Sequence, residues 1–169
     1  MDTDFLIEIN QTKYSIEIEY LRQIHFFKQS DRLHIHPAYH FILISEGSND
    51  LYLRNTPPQH TETNSLIFIN PLVPHHFSPD PKTGVEHTCI VWRFKDTKGN
   101  YELTPLQEIL GISNCNRDYI VKKINDIDAK SFIAKERSAG MAYENSDSVL
   151  ASMFMWQLCF YGIDLLWSD

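Results

Sequence analysis

Residues Arg32 to Gly47 read RLHIHPAYHFILISEG, and the reading of this stretch decides the fold. It holds His34, His36 and His40, with six residues between His40 and Gly47. Side chains two apart share a face of a β-strand, so His34 and His36 point the same way. His40 joins them if the strand continues past Pro37, where the missing ladder donor predicts a bend or bulge. Downstream, Asn70-Pro71-Leu72-Val73-Pro74-His75-His76 closes the apolar run Ser65 to Ile69 and brings a fourth imidazole, His75. Four imidazoles on two elements form a candidate shell for one divalent transition metal, Zn, Ni, Cu or Fe. The set lacks a carboxylate, so the shell is neutral and suits borderline metals. The alternative is a barrel lined by polar groups without metal.

The two elements resemble the two motifs of the cupin superfamily. In the first, His34, His36 and Gly47 match, and His40 stands where the family has Glu. In the second, Asn70, Leu72 and His75 stand at the Pro, Gly and His positions, and only His75 is retained. This degenerate form is similar to the ligand-sensing domains of AraC-type transcription regulators, as are the run Ser65 to Pro71 and the closing strand His87 to Phe94. The resemblance covers about residues 10 to 95. It implies a mainly β fold: a cupin-type β-barrel (double-stranded β-helix or jelly roll) over residues 1–100, then C-terminal α-helices over 101–169, in one domain. It implies a small-molecule sensor that pairs through its C-terminal helix. The competing expectation is a stand-alone metal-dependent cupin enzyme of dioxygenase or isomerase type, although the motifs place no carboxylate base and no catalytic residue is assigned.

A length of 169 residues, 43% hydrophobic and 22% charged, is that of one ordinary globular domain. The net charge of −7 and the absence of a basic run argue against direct nucleic-acid binding by this chain. Cys89, Cys115 and Cys159 are odd in number and widely spaced, which fits a reducing compartment. Met-Asp-Thr-Asp at the start carries no secretory pattern, so the cytoplasm is expected. No helix-turn-helix pattern precedes Asp169, so a sensor fragment or a stand-alone relative is expected.

Short strands are expected at Phe5 to Ile9, Tyr14 to Glu19, Gln23 to Phe27 and Leu51 to Arg54, with turns at Ser45 to Asp50 and Pro79 to Gly84. Ile16 and Ile18 alternate with Glu17 and Glu19, the period of a half-buried strand. Tyr119 to Val121 reads as a short edge strand. Helices are expected from Thr104-Pro105 to Gly111, from an Asp128 cap towards Met141, and from Asp147 to Trp167 with Asn145 and Ser146 as caps.

The candidate ligand-binding residues are Arg32, His34, His36, His40, Ile42, His75, Ile90 and Trp92. Trp92 and Phe94 fit ordinary core packing equally well. His76, Arg54 and Arg93 are expected to face outward, and His25, His60 and His87 to be surface or strand residues. The last segment approaches the ~20 apolar residues of a membrane span. Asp164 and the lack of basic flanks favour instead a helix buried against the barrel or a partner, with no membrane contact. Met153, Trp156, Phe160 and Trp167 are the candidate contacts of a homodimer, with Gly162 allowing two backbones to approach.

Overall fold

The computed structural model describes residues 5–27, 33–54, 56–112 and 118–168, and Arg32 and Cys115 lie outside them. The chain opens with β1 (Ile7–Ile9) and β2 (Thr12–Phe26), joined at Asn10 and Gln11, both at positive φ as a two-residue hairpin turn requires. Then follow β3 (Tyr39–Leu53), β4 (Gln59–Glu62), β5 (Ser65–Ile69), β6 (His75–Pro79) and β7 (Val85–Asp96). After the one-turn α1 (Leu106–Ile109) come β8 (Tyr119–Lys123), α2 (Asp126–Glu144) and α3 (Ser148–Trp167). The main sheet has the order β1-β2-β7-β3-β5-β8, and all its pairs are antiparallel. The first half of β3 pairs with β5 and β7, and its second half with β4 and β6. One long strand thus turns the corner between two sheets and curls them into a cupin-type half-barrel, with the helices appended after it.

Two irregularities set the curl. The register of β3 shifts between Ile44 and Glu46, and that of β2 between Ile18 and Tyr20. Such bulges bend a strand and swap the faces of the residues beyond them. The expected turn over Ser45 to Asp50 is therefore strand throughout, and the two segments expected within 14–27 are one strand. Gly47 sits at φ +79°, and a Cβ there would lie 2.3 Å from the carbonyl oxygen of Gly84. Only glycine permits that approach.

The faces sort by size. Tyr39, Phe41, Phe68, Trp92 and Phe94 point out of the barrel and pack with Phe132 of α2 and Met155, Trp156 and Leu158 of α3. Ile42, Ile44, Leu51, Leu53, Ile67, Ile69 and Phe77 point into it. Asn125 caps α2 by accepting from the backbone N–H of Asp128, and Asp147 caps α3 by accepting from that of Leu150. These replace the expected caps Asp128, Asn145 and Ser146 by neighbours whose side chains reach the second or third helical N–H. Pro105, not Thr104, precedes α1, and its helix is capped from afar: the Oδ1 of Asn70 accepts from the N–H of Leu106 at 2.8 Å. Tyr119 to Lys123 pairs with β5 at the edge of the main sheet, where a short edge strand was expected over Tyr119 to Val121.

Helix α3 is long and apolar enough to cross a membrane by length and composition, with mean hydropathy 1.5, and half of that window is buried within the fold. Trp156, expected at a dimer contact, is buried, its ring stacked 5.1 Å from that of Phe94. Trp167 is half-buried and meets Phe68 edge-on at 5.8 Å. Met153 and Phe160 are exposed. Gly162 serves a contact within the chain: a Cβ there would stand 2.7 Å from the Phe41 ring.

Candidate ligand and metal site

His34 and His36 precede β3, in a segment bent at Pro37-Ala38 and anchored to the loop before β6. His34 and His75 exchange two backbone hydrogen bonds of 3.0 Å, and the N–H of Leu72 donates to the carbonyl of His36 at 2.8 Å. Proline thus ends the first segment without a lost ladder bond, and an antiparallel bridge between the two motifs at His34 and His75 replaces the unbroken strand. Leu72, at the position where the related motif carries Gly, takes φ +64°. An L side chain in that region is strained, so the turn shape has survived the loss of the residue best suited to it.

The turn brings the four imidazoles together. One ligating atom each of His34, His36 and His75 lies within 4.8 Å of the others. The His40 ring is centred 4.8 Å from that of His36 and 5.1 Å from that of His75. His75 Nδ1–H donates to the carbonyl of Val73 at 2.8 Å, which leaves Nε2 as its lone-pair atom. Nδ1 of His40 is buried without a hydrogen-bond partner. Burial pushes the pKa of His40 well down, helped by the charges His75, His36 and His34 would carry. Burial likewise lowers His75 to about 4 against the pull of the Val73 carbonyl, and it lowers His36, whose nearby Glu19 acts the other way. Neutral imidazoles with free lone pairs, one of them an orphaned buried nitrogen, are the donors a borderline divalent metal takes. The residues fit such an ion.

These rings form one wall of a cavity of about 340 Å³. Its other walls are Glu19 and Tyr20 from β2, Ile42 from β3, Phe77 from β6, and His87, Cys89 and Val91 from β7. Of the expected ligand residues, His34, His36, His40, Ile42 and His75 line it, and Arg32 lies outside the described residues. Ile90 and Trp92 do not line it. Trp92 pairs with Tyr39 and Ile90 with Phe41, on the face turned to the helices, while Val91 and Cys89 pair with His40 and Ile42 on the cavity face. The large rings go where the helices can cover them, and the narrow interior takes smaller side chains.

His87 is a strand residue of β7, within the expectation, but not one at the surface. It is buried in the cavity wall, its ring edge-on to Phe26 at 5.2 Å, and burial lowers its pKa to about 4. Its pairing with Ile44, two residues on from Ile42 and four from His40, is the signal that finds it once the register is known. Burial raises the Cys89 thiol to about 12. Glu19 is the residue that the bulge in β2 adds, and the simple alternation through Ile18 hid it. His76 stacks on Tyr52 at 4.5 Å outside the cavity, and His25 and His60 are exposed, as expected. Arg93 does not line the cavity, but its Nη2 meets Glu17 at 2.7 Å and the lining residue Glu19 at 2.8 Å.

Residues 20–93 match the family model of the AraC-like ligand binding domain. ToxT from Vibrio cholerae, in a structure with bound unsaturated fatty acid, superposes with a TM-score of 0.50 at 15% identity, covering 91% of this chain and 55% of that one. Another ToxT structure gives 0.49 at 12% identity, covering 71% and 46%, and YhaK from Escherichia coli gives 0.47 at 8%, covering 66% and 44%. The chain spans about half the length of these proteins. No curated protein matches it in sequence.

Proposed function

We propose that this cupin-type barrel, an AraC-like ligand-binding domain over residues 20–93, is the small-molecule-sensing part of a cytoplasmic transcription regulator. One observation carries the reading: the strands that line the cavity also hold the helices. On β3 and β7, His40 and Val91 face the cavity, and their neighbours Tyr39 and Trp92 face α2 and α3. A ligand that moves His40 therefore acts on a packed aromatic layer that transmits strain. The cavity is at the small end of ligand sites and joins apolar walls to a few convergent polar groups. A compact organic ligand with a polar face for the imidazoles is the class we assign, as ToxT was solved with a small organic ligand of its own. The reading includes pairing of two copies through the exposed stripe of α3 around Met153 and Phe160, and leaves DNA contact to other parts of such a regulator.

A second reading is favoured by the orphaned Nδ1 of His40 and the lone pair left free on His75. In it His34, His36 and His75, with His40 behind them, hold a divalent metal, and the barrel serves a metal-dependent reaction or a metal-assisted sensor. A bound ion would supply Lewis acidity to an oxygen-bearing ligand. The chain's own contribution is to hold four neutral donors in place: Val73 fixes the His75 tautomer, and Ile42, Phe77 and Val91 limit water. The test is elemental analysis of protein purified without chelator and then offered Zn, Ni and Cu. About one metal per chain is expected, and His36→Ala should weaken retention roughly tenfold or more. An empty wild-type site leaves the metal-free sensor reading. For the sensor, a ligand that raises the melting temperature of the wild type should fail to do so in Ile42→Trp, which fills the cavity. Equal shifts in both proteins would place binding elsewhere.

A further inference from the structure

A divalent ion among the imidazoles brings two positive charges to donors that bring none. Around them stand Ile42, Phe77 and Val91, with Tyr20, His87 and Cys89, none of which brings a carboxylate. Charge in such a place is costly unless an opposite charge stands near. Among the described residues lining the cavity, the acid is Glu19.

We propose that Glu19 is the charge-compensating residue for a cation in the imidazole site, acting through space from the cavity wall and not as a ligand. The inference rests on the metal-holding reading above. Three observations carry it. First, the register shift between Ile18 and Tyr20 makes Glu19 the extra residue of β2, which puts Glu19 and Tyr20 together in the cavity wall. Second, Glu19 is outside the trio whose ligating atoms converge within 4.8 Å, yet it lines the same cavity as all three of them. Third, its counter-ion is shared. Nη2 of Arg93 contacts Glu17 Oε1 and Glu19 Oε1 together, at 2.7 and 2.8 Å. Two carboxylates on one guanidinium nitrogen leave a negative charge in surplus. Glu17 is further fixed by the Tyr101 hydroxyl, which donates to its two oxygens at 3.1 and 3.0 Å, so the surplus is directed through Glu19. Of the other cations nearby, Arg22 lies over the Tyr20 ring at 5.1 Å and Lys95 over the Tyr101 ring at 5.9 Å, and neither lines the cavity. The first motif lacks its carboxylate because His40 occupies that position, and the bulge returns one from a different strand, at longer range.

Cobalt(II) is the probe, because its visible bands report the ligand set while calorimetry reports affinity. Glu19→Gln keeps the shape of the side chain and an oxygen for Arg93. It should weaken Co(II) binding roughly tenfold by loss of a charge at cavity distance, with band positions and intensities unchanged. Arg93→Gln, which frees both carboxylates, should tighten binding. Equal affinity of Glu19→Gln and wild type overturns the proposal and leaves the metal site standing. Altered bands in Glu19→Gln overturn it too, by making Glu19 a ligand. A wild type that takes up no Co(II) removes the metal-holding reading and this inference with it.

Discussion

The β3–β7 pair has two faces that differ in what they are packed with. Outward, Tyr39, Phe41, Trp92 and Phe94 form a layer of rings: Trp92 stacks with Phe41 at 4.9 Å, Phe41 meets Phe132 edge-on at 5.7 Å, and Phe94 stacks on Trp156. Inward, His40, Ile42, Cys89 and Val91 occupy the same rungs of the ladder and leave room for a ligand. The outward face buries the larger area and carries more of the fold's stability. The inward face holds titratable groups pushed from their usual range, as functional cavities often do. Stability and function are thus separated by a 180° turn of the side chain at successive residues.

The largest effect that tests this division is on α3. Trp156→Glu places a carboxylate against Phe94 inside the aromatic layer, and a loss of about 4 kcal/mol or more is expected, enough to unfold the chain. Phe160 is on the same helix and 42% exposed. Phe160→Glu should leave the melting temperature within a few degrees of wild type and, if α3 pairs two copies, halve the mass seen by light scattering. Circular dichroism of the two variants separates the roles. A folded Trp156→Glu would break the assignment of this layer as the stabilising one.

A smaller effect probes how tightly α3 sits on the sheet. Gly162→Ala gains about 1 kcal/mol of helix propensity in isolation. Here the new Cβ would stand between 2.7 and 3.1 Å from three atoms of the Phe41 ring, which Trp92, Phe68 and Phe132 hold in place. Overpacking of that kind costs about 1–3 kcal/mol, so a net destabilisation of roughly 1–2 kcal/mol is expected in a urea melt. A gain in stability would mean that the layer yields, and the two faces would then differ less than their packing suggests.

The histidine spacing was enough to single out the four rings that share one wall, and the resemblance carried by the two motifs implied the barrel followed by helices. What alternation could not supply was the hand of each strand's faces. A two-residue period says that Val91 and Trp92 oppose each other, but not which of them looks inward. The two bulges hide the remainder: past Ile18 and past Ile44 the parity inverts, so Glu19 enters the cavity and Ser45 to Asp50 stays in the ladder. Both bulges are set by pairings with β7, about forty residues away or more, and no local pattern contains them. Trp156 was misplaced for a related reason. Helix α3 is apolar on nearly every side, so its composition does not distinguish the stripe facing Phe94 from the stripe facing outward.

The finest test of the inward face uses protons. His87 is buried in the cavity wall beside Phe26 and Phe77, and its pKa is lowered to about 4 against about 6.5 in an open chain. The folded protein therefore binds a proton at this ring less readily than the unfolded one does. Stability from keeping His87 neutral is fully present above pH ~6.5, falls as the pH drops through the open-chain value, and levels off near the folded one. His75, lowered to a similar value, contributes with the same sign. Between pH 7.5 and 6 the loss for one ring is about 1 kcal/mol or less by this linkage, which keeps the measurement clear of general acid unfolding. His87→Leu removes the titrating group and keeps an apolar contact with Phe26, so its stability should fall less over that interval than the wild type's. Parallel pH dependences in the two proteins would mean that the ring at position 87 is hydrated in solution, and the cavity's lower wall would then be open to water.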